Sequence, residues 1–413
     1  MLNNRKLKRG ILAGAILVVL TLSFAQVAFF EPVTRINQFS FADQEDLPRR
    51  GNPGMAYDNE SDLIVIFGGW NTTAPPSNAW KNDTWVFDYN TDTYTRKDPS
   101  IAPHGRAEPG LAYDSVRDQM VLFGGMEYFD LSLRLNDTWT YDVDTDTWTE
   151  ILPASAPSAR RAHDMVYDIE SDRMIVFGGE DGAGLNDTWA FNAGTGVWQK
   201  MSPTSAPPAR FGHRMSYDIE SDRVILFGGR VFESNDFFYD TWAYDFNSDS
   251  WENLTDTVHP SARGVPSISY DSESDKLVLF GGSDSSTAHG DTWTFDYNTA
   301  TWEEQSPSAS PSARSRHGSA YDWESDKVII YGGTTGSYNS NNQVSSGKTW
   351  AYDLNSNTWT EINFPPVSST TTSTSTTTPT TPTSPPPPML MWIAIGGIGV
   401  VVVVLVIVLA KRR

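Results

Sequence analysis

An all-β fold, a six-bladed β-propeller of four-stranded antiparallel blades, is what this sequence predicts, and three observations predict it. One unit recurs six times, marked by glycine doublets at Gly68-Gly69, Gly124-Gly125, Gly178-Gly179, Gly228-Gly229, Gly281-Gly282 and Gly332-Gly333. Three intervals are constant: 11 residues from a Tyr-Asp tyrosine to the doublet and 9 from a Thr-Trp tryptophan to a second aromatic in all six copies, and 19 from that aromatic to the next unit's tyrosine at all five junctions. One interval is elastic, running 17, 15, 11, 14, 12 and 18 residues from the doublet to Thr-Trp. A period of roughly fifty residues signals a repeat architecture. Such units cannot bury their faces alone, and four-stranded sheets repeated radially close as a propeller.

Each element follows from the unit. Tyr57, Tyr113, Tyr167, Tyr217, Tyr270 and Tyr321 lie in strand A, before a tight turn rich in Glu, Ser and Asp. The apolar runs LIVIF, MVLF, MIVF, VILF, KLVLF and KVIIY form strand B and end at the doublets. Strand C carries Trp85, Trp139, Trp189, Trp242, Trp293 and Trp350; strand D carries Tyr94, Trp148, Trp198, Trp251, Trp302 and Trp359. The turns between C and D, such as DYNTDT and DLNSNT, use residues that bond their own backbone. Tryptophans so placed read as blade core, because such a ring buries ~150–250 Å².

An apolar strand ending in Gly-Gly, then a Trp strand with Tyr-Asp or Phe-Asp, then a second Trp, resembles the kelch repeat over residues 50 to 362. The resemblance implies that the doublet ends the second strand and that the aromatics pack within and between blades. The sixth repeat has its own D strand at Thr358 to Ile362, so six complete blades in one phase are expected across residues 50–364. Residues 31–49 then form a linker whose INQFSF stretch, Ile36 to Phe41, is an extra outer strand or a tether.

The net charge of -21 argues against nucleic acid, which needs a basic footprint. The absence of Cys removes disulfides and thiolate metal sites, and with them the copper and Cys-Tyr crosslink of galactose oxidase, whose propeller this chain resembles. Residues 1–30 read as a signal peptide or an N-terminal membrane anchor. Residues 365–388, nearly all Thr, Ser and Pro, read as an extended stalk, residues 389–410 as a transmembrane helix, and residues 411–413 as a basic tail. The positive-inside rule puts both charged ends in the cytoplasm and the propeller outside the cell, at the cell membrane. Asn59, Asn71, Asn82, Asn136, Asn186 and Asn253 head glycosylation triplets, three of them by-products of the repeated N-D-T-W.

Strand direction puts chain entry to A, the elastic B-to-C loop and the exit from D on one face. Its candidate ligand-binding side chains are the loop aromatics Trp70, Trp80, Tyr128, Phe129, Phe232, Phe237, Phe238 and Tyr239, with Tyr338 also in an elastic loop. Loops on a rigid scaffold commonly carry recognition, and aromatics are common anchors. Arg50, Arg106, Arg160, Arg210, Arg263 and Arg314 each stand seven residues before the tyrosine, and sixfold repetition reads as structure rather than site. Arg161 and Arg316 break that symmetry and join the ligand-binding set. His163, His213 and His317 share one slot, but in three separate blades, so no metal is assigned to them. Asp142, Asp144 and Asp146 lack the glycine and distal Glu of a calcium loop.

The reading favoured is recognition or adhesion, with a protein or glycan bound outside the cell through the loop face and the membrane reached through the C-terminal helix. No catalytic residue, cofactor or nucleic-acid partner is assigned. Two rivals remain: a sugar-modifying enzyme like kelch-fold sialic acid mutarotase, with Glu180 or the histidines as base, and a structural surface-layer component.

Overall fold

The computed structural model describes residues 48–72, 74, 79–127, 133–338 and 343–363. The N-terminal apolar segment, the INQFSF stretch, the stalk, the C-terminal apolar segment and the basic tail lie outside the described residues. Among the described residues no helix is long and apolar enough to cross a membrane.

Six antiparallel sheets follow one another along the chain, each in the order A-B-C-D. The first holds β1 (Gly54–Asp58), β2 (Leu63–Phe67), β3 (Thr84–Asp88) and β4 (Thr93–Lys97). The second holds β5 (Arg106–Ala107), β6 (Gly110–Asp114), β7 (Gln119–Glu127), β8 (Arg134–Asp142) and β9 (Thr147–Ile151). The third holds β10 (Asp164–Asp168), β11 (Arg173–Phe177), β12 (Thr188–Asn192) and β13 (Val197–Lys200). The fourth holds β14 (Arg214–Asp218), β15 (Arg223–Phe227), β16 (Thr241–Asp245) and β17 (Ser250–Asn253). The fifth holds β18 (Ser267–Asp271), β19 (Lys276–Phe280), β20 (Thr292–Asp296) and β21 (Thr301–Gln305). The sixth holds β22 (Ser315–Asp322), β23 (Lys327–Thr335), β24 (Val344–Ser345), β25 (Thr349–Asp353) and β26 (Thr358–Ile362).

The inner strands β1, β6, β10, β14, β18 and β22 neighbour one another in a closed ring. Six apolar clusters fill the six gaps between sheets, and the one between the last and first blades joins Met55, Ile66 and Phe87 to Ala320, Tyr331 and Ala351. The ring therefore closes by packing, with each described blade built from one continuous stretch of chain. The strand-D aromatics supply a polar latch across each gap. Trp148 Nε1 donates to Thr84 Oγ1 at 2.9 Å, and the same bond recurs from Trp198, Trp251, Trp302 and Trp359 to the threonine of the preceding blade. At the closure Tyr94 Oη meets Thr349 Oγ1 at 2.7 Å, a tyrosine doing the work of the indole.

The tight turns form because an aspartate takes the left-handed conformation that the hairpin needs. Asp62, Asp118, Asp172, Asp222, Asp275 and Asp326 all have φ between 51° and 57°, a region that Asp tolerates better than most residues. Each also accepts the hydroxyl of the strand-A tyrosine five residues back, as Asp62 does from Tyr57 at 2.7 Å. The fixed Tyr-to-turn spacing is this bond.

The six repeated arginines are fully buried structural anchors. In the third blade Arg160 Nη1 donates to Gly178 O at 3.0 Å and to Asp187 Oδ1 at 2.7 Å, and Nη2 donates to Asp187 Oδ2 at 3.0 Å. The carbonyl of the same arginine accepts the N–H of Gly125, in the preceding blade, at 2.9 Å. One residue thus ties its own sheet together through its side chain and ties it to its neighbour through its backbone. Arg160→Met is expected to cost about 3–5 kcal/mol, because Asp187 is left as an uncompensated, largely buried charge. The double substitution Arg160→Met with Asp187→Leu should recover part of that loss in denaturant unfolding.

Candidate functional site

The loop face is built on a second backbone ring. Two residues after each buried arginine the chain turns left-handed, at Asn52, Glu108, Ala162, Gly212, Val265 and Arg316. Each N–H in this slot donates to the carbonyl of the same slot in the preceding blade, at 2.6 to 3.3 Å. Six hydrogen bonds so encircle the mouth of the central channel. A branched residue such as Val265, at φ 47°, is an outlier held there by its surroundings. The backbone repeats, while the six side chains are all different.

On one half of the mouth Glu108, Arg134, Arg161 and Glu180 are paired with one another. Asn52 Nδ2 donates to Glu108 Oε1 at 3.0 Å, and Arg161 Nη1 donates to Glu108 Oε2 at 3.1 Å. Arg161 Nε also donates to Glu180, which accepts from Arg134 Nη2 at 2.6 Å. Burial pushes the Glu180 carboxyl up, but the hydrogen bonds from Arg134 and Arg161 outweigh it and hold the group below its ordinary value. A carboxylate gripped by two guanidinium groups is a poor general base.

The other half is different. Arg230, just after the doublet of the fourth blade, and Arg316 have no carboxylate within 4.0 Å among the described residues. Both guanidinium groups lie against the ring of Tyr338, at 4.7 and 4.5 Å from its centre. Tyr338 meets Phe237 edge-on at 5.8 Å, and its N–H donates to Asp284 O at 3.0 Å. The sixth blade's loop thus crosses the fifth blade's loop to reach the fourth. Phe211 and Phe232 extend the patch, their rings 6.2 Å apart.

The other predicted loop residues scatter. Trp70 and Trp80 stack on each other at 6.4 Å, half-buried, in the first blade. Phe238 lies 3.9 Å under the Arg210 guanidinium and belongs to the structural anchor. Tyr239 stacks on His259 at 4.5 Å. Tyr128 and Phe129 lie outside the described residues. Arg230, Glu108 and Arg134 were not singled out from the sequence. The slot after each doublet, which reads Trp70, Met126, Glu180, Arg230, Ser283 and Thr334, was the available signal, since it varies inside a fixed frame.

The inner strands line a channel cavity of about 250 Å³ whose lining includes Asp164, Arg214, Ser269 and Ser319. His163, His213 and His317 do not converge. Each is buried against a phenylalanine of the preceding blade, Phe123, Phe177 and Phe280, at 5.3 to 5.5 Å. Burial keeps all three neutral and lowers His163 to about 3. Asp142 and Asp146 serve their own hairpin, accepting the Thr145 N–H and the Tyr141 hydroxyl.

A model of the KLHDC2/KLHL20/DRC7 kelch-repeats domain matches residues 33–208, and a model of the Attractin/LZTR1 β-propeller matches residues 183–379. The chain belongs to the kelch-repeat β-propeller family, whose propellers commonly bind proteins. It is also 32% identical over 132 residues to an N-(sulfonatooxy)prop-2-enimidothioate sulfolyase of Thlaspi arvense. That match covers 30% of this chain and 34% of the relative, so the chain spans about a third of that protein's length.

The histidines set a pH dependence. His163 falls from an unfolded value of about 6.5 to about 3 when folded, so the unfolded chain binds the extra proton between those limits. Stability should therefore drop as pH falls below about 6.5, by up to about 1.4 kcal/mol per pH unit for one such group. Replacing His163 by Gln is expected to flatten the slope of unfolding free energy between about pH 6.5 and 5, where the paired aspartates do not yet titrate.

Proposed function

We propose that this propeller is a recognition module whose loop face binds a protein partner, and that the half around Arg230, Arg316 and Tyr338 takes an acidic segment of it. One observation carries the reading: two guanidinium groups share the Tyr338 ring with no carboxylate partner among the described residues, in a chain of net charge -21. Arginine pairs with carboxylates in two-pronged, charge-assisted bonds, and a partner's Asp or Glu would complete the set that the fold leaves open. Phe237 and Phe232 beside them supply the apolar contact that anchors such interfaces. Display outside the cell, on a Thr-rich stalk with residues 389–410 in the membrane, belongs to the same proposal, as does a carboxylate-bearing glycan in place of the protein. Glu180 held by two arginines and three deeply buried histidines favour recognition over sugar modification at this mouth.

A second reading rests on the Thlaspi arvense relative, whose name describes a lyase acting on a sulfonatooxy compound. The same guanidinium pair would suit a sulfate group. An array of acidic peptides and of sialylated and neutral glycans, probed with the full chain, separates these readings. Acidic peptides should be captured, and Arg230→Gln with Arg316→Gln should weaken capture by about tenfold or more, the worth of one charge-assisted hydrogen bond. Capture that survives both substitutions refutes the assignment, and release of sulfate from a sulfonatooxy substrate would move it to the enzyme class.

A further inference from the structure

One blade departs from the anchor that the others share. In the first five blades an aspartate two residues before the strand-C tryptophan gathers three donors. Asp83 accepts from Arg50 Nη1 at 2.9 Å, from Arg50 Nη2 at 3.0 Å and from Trp85 Nε1 at 2.8 Å. Asp137, Asp187, Asp240 and Asp291 repeat this with their own arginine and tryptophan. The sixth blade reads GKTW instead, so Lys348 stands where the aspartate should be.

The rest of the donor set is still in place. Arg314 is 2% exposed and keeps its bond from Nη1 to Gly332 O at 3.1 Å. Ser346 Oγ, at 3.3 Å from Nη1, takes over the part of the inner carboxylate oxygen. Nothing among the described residues takes over the outer one. There the Trp350 indole N–H is buried without a protein acceptor, and Arg314 Nη2 has only Ser312 Oγ, at 2.9 Å. Lys348 does not fill the gap, because its ammonium turns outward to Glu361 at 2.6 Å. The charge at the slot has changed from negative to positive. Burial lowers Arg314 to about 10, against the weaker opposing pull of the Glu361 carboxylate, which leaves it protonated at neutral pH. The five aspartates are 13% to 24% exposed, so in those blades the slot borders solvent.

We propose that the sixth blade binds a small monovalent anion, a halide or one oxygen of a free carboxylate, between Trp350 Nε1 and Arg314 Nη2. The anion occupies the place that the outer aspartate oxygen fills in the other five blades. Ser346 already supplies the inner position, so the site takes one acceptor atom and excludes a chelating or multiply charged group. A buried indole N–H and a buried guanidinium each gain a partner that desolvation otherwise denies them. The ion serves as the sixth counter-charge of the ring, supplied from solution.

Thermal unfolding of the full chain tests this, titrated with chloride or with acetate against a bulky sulfonate at constant ionic strength. A ligand of the folded state raises the melting temperature with the logarithm of its concentration once above Kd. The wild-type chain should show that rise, and whichever anion acts at lower concentration is the preferred one. Lys348→Asp carries its own carboxylate, so it should melt higher in the sulfonate buffer free of chloride and acetate, and show no rise. Should that variant not fold, Trp350→Phe removes one donor and should move the half-saturating concentration up by about tenfold. No rise in the wild-type chain, or an equal rise in the variants, overturns the site.

Discussion

A buried arginine, bonded to the carbonyl at the end of strand B and, in five of the six blades, to an aspartate at the start of strand C, is the interaction on which this architecture depends. Its own carbonyl accepts the N–H of the second doublet glycine in the preceding blade, and this happens at every junction, including Arg50 with Gly333 at the closure. The doublet must be glycine for the same reason. A Cβ on Gly68 would stand 2.6 Å from Arg106 O, and one on Gly281 2.5 Å from Arg314 O. Both residues of every doublet also have positive φ, which side chains with a Cβ resist. The fixed Arg-to-Tyr and Tyr-to-Gly intervals are two readings of one device.

Such a frame constrains some positions and frees others. The arginine, the doublet, the turn aspartate and the strand-D aromatic meet the same neighbours in each blade and stay alike. The slots directly after the doublet and two after the arginine face the channel mouth, and there the blades differ. Paired charges gather on one side, with Glu108, Arg134, Arg161 and Glu180, and on the other stand guanidinium groups with no carboxylate partner among the described residues. The asymmetry needed for a ligand is built on a symmetric backbone.

Much of this was legible beforehand. Six blades, the four strands of each, the shared face of the elastic loops and the structural role of the arginine ring all follow from constant intervals, because constant spacing reflects contacts that repeat. The halves of the loop face were not legible. The reach of Tyr338 over the fifth blade depends on how an 18-residue interval folds against its neighbours, and no repeated spacing encodes that. The grip of Arg134 on Glu180 joins residues from two blades. Phe238 and Phe237 are adjacent and alike in sequence, yet one seals the Arg210 anchor and the other joins the Tyr338 patch. The kelch resemblance supplied the roles of the doublet and the aromatics. It could not show what Lys348 does to Arg314, because that consequence lies in the donors left behind.

Native-state hydrogen exchange of the second doublet glycines, Gly69, Gly125, Gly179, Gly229, Gly282 and Gly333, tests the account most directly. Their N–H groups hold the blades to one another through the arginine carbonyls. The account expects all six to exchange only through global unfolding, as slowly as the strand-B core amides. Exchange at the rate of the exposed loops, with the core still protected, would contradict it.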